Sequence, residues 1–175
     1  MSTQIVSQIE AICQLKYADT VTGPKWLDDR ETRAWRGYLR MRALLDLQIS
    51  RDLARDSGLS DADYQVLATL SESAGRQRRL IDLAERMLWS KSRLGHHIDR
   101  MAGRGLVERK PHPDNSRATI VALTGQGVRT LADAAPDHVD SVRRHFIDHL
   151  TAEQIDAVAE AAETVIEHLC SVDGT

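Results

Sequence analysis

A run of basic and hydroxyl side chains between Ser90 and Arg100 has the chemistry needed to contact nucleic acid. The Ser90 hydroxyl can accept a backbone N–H bond and so cap a helix that begins directly after it. One face of that helix suits a protein core, with His97 in a structural role, and carries Leu94, His97, Ile98 and Met101. The other face carries donors suited to phosphates and to guanine or adenine edges in a major groove, namely Lys91, Ser92, Arg93, His96 and Arg100.

The elements before this helix are short. Residues 77–80 are typical of a strand, and residues 81–87 of a helix. A turn through Leu88 and Trp89 then leads to the capped helix. Two helices joined by so short a turn predict a helix-turn-helix.

The elements after it complete a wing. Arg104 and Gly105 suit the end of a helix. Two short strands are predicted at residues 106–109 and 119–123, and the segment 111–117 between them is a turn-rich polar tip with one arginine. We therefore expect a winged helix-turn-helix in which residues 77–80 pair with the wing.

Charge is distributed unevenly along the chain. Between Arg76 and Arg117 eleven basic side chains stand against five acidic ones, although the whole chain has a net charge of −3. Such an asymmetry is typical of an electrostatic footprint for nucleic acid. A winged domain that binds another protein, with a basic face that only keeps it soluble, is the alternative that the shape of the motif leaves open.

The region LAERMLWSKSRLGHHIDRMAGRGLVERKPHPDNSRATIVALTGQG resembles the DNA-binding region of MarR-family transcriptional regulators. The resemblance lies in KSRL at the helix start, RGLVER after the helix and a closing LTxxG. It implies a homodimer that binds a palindromic operator, with the capped helix in the major groove and the wing arginine in the minor groove. By position, it implies bases or nearby phosphates for Ser92, Arg93, His96 and Arg100, and places Arg117 at the wing.

Two positions depart from the family pattern. The family usually has an aspartate two residues before the wing arginine, whereas this chain has Asn115. Asn115 can still accept a hydrogen bond from the guanidinium, though without charge assistance, so we count it with the DNA-binding candidates. Gly95 in the recognition helix costs up to about 1 kcal/mol relative to alanine and removes a side chain that the family often uses there.

Composition limits the class of protein. A chain of 175 residues is long enough for one domain with extensions and a buried core. No segment reaches the roughly 18 to 20 apolar residues of a membrane span, and the first residues lack a basic stretch followed by an apolar one, so we expect a cytoplasmic protein. We find no nucleophile–base pair, phosphate loop or zinc-finger spacing, and therefore expect neither an enzyme nor a cofactor.

Helices are predicted on both sides of the winged region. Residues 1–27 form an amphipathic segment that breaks near Gly23 and Pro24, and either packs in a dimer or is mobile. A long helix should run from residue 28 to residue 55, and Ser60 with Asp63 forms a capping-box pattern for the next helix, which extends to about Ser73.

The C-terminal part is also helical. Thr124 should begin a helix that Pro136 interrupts or bends, and Thr151 with Gln154 forms a second capping-box pattern before the last helix. The apolar stripe of these helices covers either a monomer core or a second subunit. Since a complete winged domain precedes it, the stripe favours dimerisation.

The predicted fold class is thus mainly α, with a small antiparallel β wing and with N- and C-terminal helices that form a dimerisation region. The predicted segments are 1–56 for the N-terminal extension and first dimerisation helix, 57–124 for the DNA-binding domain, and 125–175 for the C-terminal dimerisation helices. We expect a repressor that a ligand regulates through the spacing of its two recognition helices.

A ligand site is predicted less directly. The resemblance implies a pocket for a small aromatic or phenolic anion between the dimer helices and the winged lobes. Here Trp35, Tyr38, Arg42 and Tyr64 could line it, although aromatic residues on helical faces also occur as ordinary core.

Two further constellations carry alternatives. Cys13 could make the protein a redox-sensing variant of the same regulator, alone or paired with Cys170 across a dimer, or both thiols could be inert. His138, His145 and His149 fall near one helix face, which is compatible with a metal site. No cysteine or carboxylate clearly completes it, so we predict no metal.

Overall fold

The structure is a computed structural model that describes residues 25–113 and 115–172, except for the side chains of residues 115–117. The amphipathic segment predicted before residue 25, including Cys13, lies outside the described residues. The chain divides into two units, Met1–Leu47 and Gln48–Thr175. The three functional segments predicted from the sequence stay a prediction.

The first helix, α1, spans Asp29–Ser57 and contributes to both units. It begins with a reciprocal cap, in which the Asp28 N–H donates to a Glu31 carboxylate oxygen at 2.9 Å and the Glu31 N–H donates to Asp28 at 2.8 Å. It ends at Gly58, whose φ of 66° is the left-handed conformation that glycine adopts without strain. The predicted helix over residues 28–55 is confirmed.

Three short helices follow, and the last two form the helix-turn-helix. These are α2 (Asp61–Ser71), α3 (Leu80–Arg86) and α4 (Lys91–Gly103), with a 3-10 turn at Ala74–Arg76. The capping box predicted at the start of α2 is present, because the Ser60 hydroxyl accepts from the backbone of Asp63 and the Asp63 carboxylate accepts from Ser60.

The wing is a three-stranded antiparallel sheet in the order β1-β3-β2, with strands β1 (Gln77–Arg79), β2 (Val107–His112) and β3 (Asn115–Leu123). The predicted pairing of residues 77–80 with the wing is confirmed, since Arg78 lies opposite Val121.

The predicted strand lengths and the extent of the tip were wrong. Both wing strands extend into the segment 111–117, which was predicted as a turn, since β2 ends at His112 and β3 begins at Asn115. Pro111 fits inside β2 because β2 is an edge strand, where a missing N–H removes no bond from the sheet interior. A bulge follows between Pro111 and His112. Turn-forming residues therefore ended the predicted strands too early.

A single core joins the helices of the winged domain to the sheet. Its fully buried members come from α2, α3, α4 and the wing, and include Leu67, Leu70, Leu83, Leu94, Ile98, Met101 and Val121. Burial of these side chains fixes the rotation of α4 about its axis. That rotation decides which side chains α4 presents to solvent.

The C-terminal helices are α5 (Gly125–His145) and α6 (Ala152–Val172), separated by a 3-10 turn at Ile147–His149. The predicted caps at Thr124 and at Thr151 are both present. Helix α5 runs through Pro136, so an interruption there is wrong, and a bend at Pro136 stays a prediction. Proline removes one helical N–H bond, and the helix is held on both sides of it by buried Ala134 and Ser141.

Asp52 links the end of α1 to α5 within the second unit. This carboxylate is almost fully buried, and it accepts from the Ser141 hydroxyl at 2.9 Å while lying 2.8 Å from Nε2 of His145. Arg55 donates to its other oxygen at 2.9 Å. The Ser141 hydroxyl bond, with further help from His145 and Arg55 against the effect of burial, lowers the pKa of Asp52 to about 2.

Candidate nucleic-acid interface

Helix α4 presents one buried face and one polar face, as the sequence predicts. Leu94, His97, Ile98 and Met101 are all buried. The predicted DNA-contacting side chains of this helix are all exposed, namely Lys91, Ser92, Arg93, His96 and Arg100. The structure thus brings these five candidates together on one solvent-facing surface, which we call the α4 polar face.

Ser90 acts as the N-cap of α4. Its hydroxyl accepts from the Arg93 backbone N–H at 3.2 Å. The remaining N–H groups of the first turn point out of the helix, and with the helix dipole they favour an anion at this end. The first turn contains no acidic side chain to oppose this preference. A phosphate would therefore be stabilised beside Ser90 and Lys91.

The Arg93 guanidinium lies over an aromatic ring. Its Cζ is 4.0 Å from the centroid of the half-buried Trp89 ring. Within the described part of the chain it forms no ion pair with a carboxylate. Stacking occupies the face of the guanidinium and leaves the N–H groups around its edge available as donors.

The Arg100 guanidinium is held by His97. Arg100 Nη2 donates to Nδ1 of His97 at 2.9 Å, which requires that Nδ1 carry no proton. Burial, with a smaller contribution from the Arg100 charge, lowers the pKa of His97 against the opposing effect of Asp63. The ring is therefore neutral at neutral pH, with its proton on Nε2, which lies 3.1 Å from a carboxylate oxygen of Asp63.

Asp63 connects the start of α2 to the end of α4. Arg104 donates to its carboxylate at 2.7 Å and to the Gly58 carbonyl at 3.2 Å. Burial opposes ionisation of Asp63, but the Ser60 backbone N–H and the Arg104 guanidinium outweigh burial and lower its pKa. Arg104, which the sequence counts in the basic surplus, is thus a structural cation.

Arg109 is a functional candidate that the sequence reasoning missed. From β2 its Nη2 donates to the Gly95 carbonyl at 2.8 Å and lies 2.9 Å from a carboxylate oxygen of Asp99. Asp99 is an exposed acidic residue of α4, and Arg109 neutralises it while tying the wing to the helix. Only the register of the hairpin brings these residues together, so no sequence signal predicts the contact.

The wing candidates cannot be placed at the level of side chains. The backbones of Asn115 and Arg117 belong to β3. Their side chains lie outside the described residues, so the minor-groove role of Arg117 and the supporting role of Asn115 stay predictions.

The four ligand-pocket candidates lie in different units. In the first unit, Trp35 and Tyr38 are exposed on α1 with ring centroids 5.9 Å apart, and the Arg42 guanidinium lies 5.8 Å from the Tyr38 ring. In the second unit, half-buried Tyr64 lines a cavity of about 430 Å³. The cavity wall also includes His138, whose ring centroid is 4.2 Å from that of Tyr64, and Arg86.

The histidines of the C-terminal region have separate partners. His138 packs on Tyr64, His145 lies against Asp52, and Nε2 of His149 lies 2.9 Å from the Arg144 carbonyl oxygen. The described residues contain no group of three or more His, Cys, Asp or Glu side chains placed to bind a metal. The possible histidine metal site is therefore not formed in this part of the chain.

Two other features of the described chain concern redox chemistry and membranes. Cys170 is an exposed free thiol on α6. No helix among residues 25–113 and 115–172 has both the length and the apolar character needed to cross a membrane.

Comparisons with known proteins agree with this architecture. A sequence model described as the MarR family matches residues 57–118. The crystal structure of AbsC, a MarR-family transcriptional regulator from Streptomyces coelicolor, is 41% identical, with a TM-score of 0.79 over 85% of this chain and 99% of AbsC. That of Sco3205 from the same organism, a MarR-family transcriptional regulator in complex with DNA, is 36% identical, with a TM-score of 0.79 over 83% of this chain and 92% of Sco3205.

A curated relative gives the same assignment. The transcriptional regulator HosA of Escherichia coli O111:H- is 29% identical over 119 residues, which are 68% of this chain and 86% of HosA. All three relatives are named as transcriptional regulators. Together with the winged helix-turn-helix and its α4 polar face, the matches establish that the chain belongs to the MarR family of DNA-binding transcriptional regulators.

Proposed function

We propose that this protein is a homodimeric repressor that binds a palindromic operator and releases it when a small aromatic or phenolic anion binds. The observation that carries the DNA-binding part is the α4 polar face. Lys91, Ser92, Arg93 and His96 are exposed there, opposite the buried face, at a helix N-terminus without acidic residues.

In the proposed complex α4 lies in the major groove. Arg93 is the side chain best suited to read a base, since a guanidinium can donate two bonds to O6 and N7 of guanine. Lys91, Ser90 and the first-turn N–H groups bind the adjacent phosphates. Ser92 and His96 contact base edges or phosphates, and Arg117 enters the neighbouring minor groove from the wing.

Dimerisation is supported by apolar side chains that the described chain leaves uncovered. Helix α6 has no buried residue along its whole length, yet Val158, Val165, Ile166 and Leu169 follow one another at helical spacing. In the first unit, α1 exposes Trp35, Leu44 and Leu47 in the same way. Contiguous exposed apolar surface is costly in water, and a second copy would cover it. Two recognition helices about 34 to 36 Å apart would then read the two half-sites.

The cavity beside Tyr64 supports the proposal that a small effector binds the protein. It combines an aromatic ring with Arg86, a cation suited to a carboxylate or phenolate, although Glu72 and Asp61 also line it. Nδ1 of His138 is buried without a hydrogen-bond partner among the described residues, and a ligand hydroxyl would satisfy it. These features favour a small aromatic anion that also carries a hydroxyl.

DNA binding is tested with fragments from the region upstream of the protein's own gene. We expect wild-type protein to bind a palindromic fragment with steep salt dependence and to repress transcription from it. Arg93→Ala should weaken operator binding by about 1–3 kcal/mol per half-site and abolish base preference at one position. Arg143→Ala, which removes an exposed arginine of α5, is the matched control and should bind as wild type.

Two outcomes would contradict the DNA-binding proposal. One is the absence of binding to every such fragment, which would favour a winged domain that binds a protein. The other is equal operator preference in the wild type and Arg93→Ala.

The effector is tested separately by a thermal-shift screen of phenolic acids. A binding acid should raise the unfolding temperature and release DNA. Arg86→Gln should weaken both effects, whereas Arg143→Gln should not. No shift across a broad panel would count against the cavity as an effector site.

A further inference from the structure

Each of the two exposed arginines on α4 rests on a residue of the winged domain, Arg93 on Trp89 and Arg100 on His97. Arg93 Cζ lies 4.0 Å from the Trp89 ring centroid, and Arg100 Nη2 donates to Nδ1 of His97 at 2.9 Å. The two rings also contact each other edge to face, with centroids 5.5 Å apart and an interplanar angle of 84°. We call them the Trp89–His97 pair.

The pair is fixed to the core of the winged domain. The Trp89 backbone N–H donates to the Ala84 carbonyl at 2.9 Å, and its ring packs against the buried core cluster. His97 is buried between α4 and α2, where Nε2 lies 3.1 Å from Asp63. Since neither ring can move freely, the arginines that rest on them are restrained as well.

The contacts leave the arginines able to donate. Stacking on Trp89 uses the face of the Arg93 guanidinium, and its N–H groups point outward in the plane of that group. A single bond to His97 occupies one nitrogen of Arg100 and leaves further donors. Side chains that are held in a donating orientation before they meet DNA lose less conformational freedom on binding.

We propose that Trp89 and His97 are positioning residues for sequence readout. They hold the guanidinium groups of Arg93 and Arg100 with their donor edges toward DNA, and sequence discrimination depends on them although neither contacts a base. This inference rests on the proposed role of α4. It adds that Trp89 in the turn and His97 on the buried face of α4 determine how well the protein discriminates between bases.

The main experiment measures the ratio of affinities for the operator and for an operator with one base pair changed opposite Arg93. Trp89→Leu should reduce this ratio by about 2- to 30-fold, the range expected for a lost cation–π contact. Trp89→Phe keeps an aromatic face and should retain most of it. The slope of affinity against salt should stay unchanged in both variants, because the number of phosphate contacts is unchanged.

A double-mutant cycle separates positioning from a structural role. In an Arg93→Ala background, Trp89→Leu should cause no further loss of discrimination. If Trp89 only stabilises the fold, its substitution should instead weaken binding to all DNA equally and should add to the effect of Arg93→Ala. That result would overturn the inference for Trp89.

A measurement on the free protein covers the case in which Trp89→Leu does not fold. Trp26→Phe with Trp35→Phe leaves Trp89 as the one tryptophan of the chain. In that background Arg93→Ala should uncover the ring and increase quenching of its fluorescence by acrylamide, whereas Arg143→Ala should not. Equal quenching in the two variants would refute the stacking.

For His97, the comparison is between His97→Asn, which keeps an acceptor near the position of Nδ1, and His97→Leu, which removes it. The first should preserve discrimination at the base pair opposite Arg100 better than the second, and equal loss in the two would overturn this half of the inference.

If Arg93→Ala itself leaves discrimination intact, the proposed function fails. If Arg93→Ala abolishes discrimination and the Trp89 variants do not reduce it, only the positioning inference fails.

Discussion

We predict that replacing Gly127, the last residue of the LTxxG motif, even by alanine lowers the stability of the protein. It lies in the first turn of α5, where the backbone of Leu106 passes directly over it. A Cβ at this position would lie 2.0 Å from the Leu106 carbonyl oxygen and 3.0 Å from its carbonyl carbon. Since both Leu106 atoms belong to the backbone, they cannot move away by a change of rotamer as side-chain atoms can.

The expected loss follows from the contacts that must move. The Leu106 carbonyl has to shift by about 1 Å to clear the methyl group, and overpacking of this kind costs about 1–3 kcal/mol. The same carbonyl accepts from the Thr124 N–H at 3.2 Å, and weakening this hydrogen bond costs about 1 kcal/mol. The Thr124 hydroxyl donates mainly to the Gly105 carbonyl, at 2.6 Å, and is not counted. Alanine contributes at most about 1 kcal/mol in helix propensity. We therefore expect Gly127→Ala to lower the free energy of unfolding by about 1–3 kcal/mol.

The assay is urea unfolding at one protein concentration, followed by circular dichroism. Gly125→Ala is the matched control, because its Cβ would meet only the flexible end of Arg129 at 3.6 Å, and it should be neutral or slightly stabilising. Leu106 leads into β2, so Gly127→Ala should also weaken operator binding through the wing. If Gly127→Ala proved as stable as Gly125→Ala, the close approach of the two backbones would be refuted.

Three further predictions concern the turn, the buried carboxylate and the wing contact. Leu88 is 93% exposed with a φ of 53°, and its N–H and that of Trp89 close the end of α3. Because glycine adopts this conformation without strain, Leu88→Gly should stabilise the protein by about 0.5–1 kcal/mol in urea unfolding, and Leu88→Ala, which keeps the strain, should not. The pKa of Asp52 is lowered, so its contribution to stability is complete above its ordinary pKa of 3.8 and is lost as the pH falls toward 2. The stability advantage of the wild type over Asp52→Asn should therefore shrink between pH 4 and pH 2 in parallel unfolding curves, and a constant difference would argue against the ionised carboxylate. Arg109→Ala should reduce operator affinity several-fold by leaving Asp99 uncompensated, at roughly 1 kcal/mol for an exposed pair. Adding Asp99→Asn should restore most of that affinity in fluorescence anisotropy, and failure to restore it would show that Arg109 acts in some other way.

Local patterns were enough to predict the elements of the winged domain. The caps at Ser60, Ser90, Thr124 and Thr151 depend on residues within one helical turn, and the buried face of α4 depends on a short apolar period. The wing strands were predicted less well, because strand pairing overrides the local preference of proline and turn residues. Pairing with β3 extends β2 through Pro111 and His112, although the segment 111–117 alone favours a turn.

The candidate site shows a different limit, since sequence gives the types of its residues and not their partners. Arg93 lies four residues after Trp89, with the extended N-cap residue Ser90 between them, and its guanidinium lies over the Trp89 ring. Arg109 and Asp99 meet because the register of β2 on β3 fixes where the wing crosses α4. Neither contact follows from a period or a motif.

Ion pairs with carboxylates reduce the number of basic side chains that contribute to the surface potential of the winged domain. Arg79, Arg104, Arg109 and Lys110 each lie within 3 Å of a carboxylate, so they contribute little net field beyond their own pairs. Lys91 and Arg93 have no such partner among the described residues, and Arg100 rests on a neutral histidine. Arg76 in the 3-10 turn and Arg78 in β1 also have no carboxylate within 4 Å among the described residues. The positive potential therefore comes from α4 and from these two arginines, whereas a count of charges along the sequence spreads it over the whole domain. In the proposed function, part of the attraction for DNA then comes from the same side chains that read the sequence.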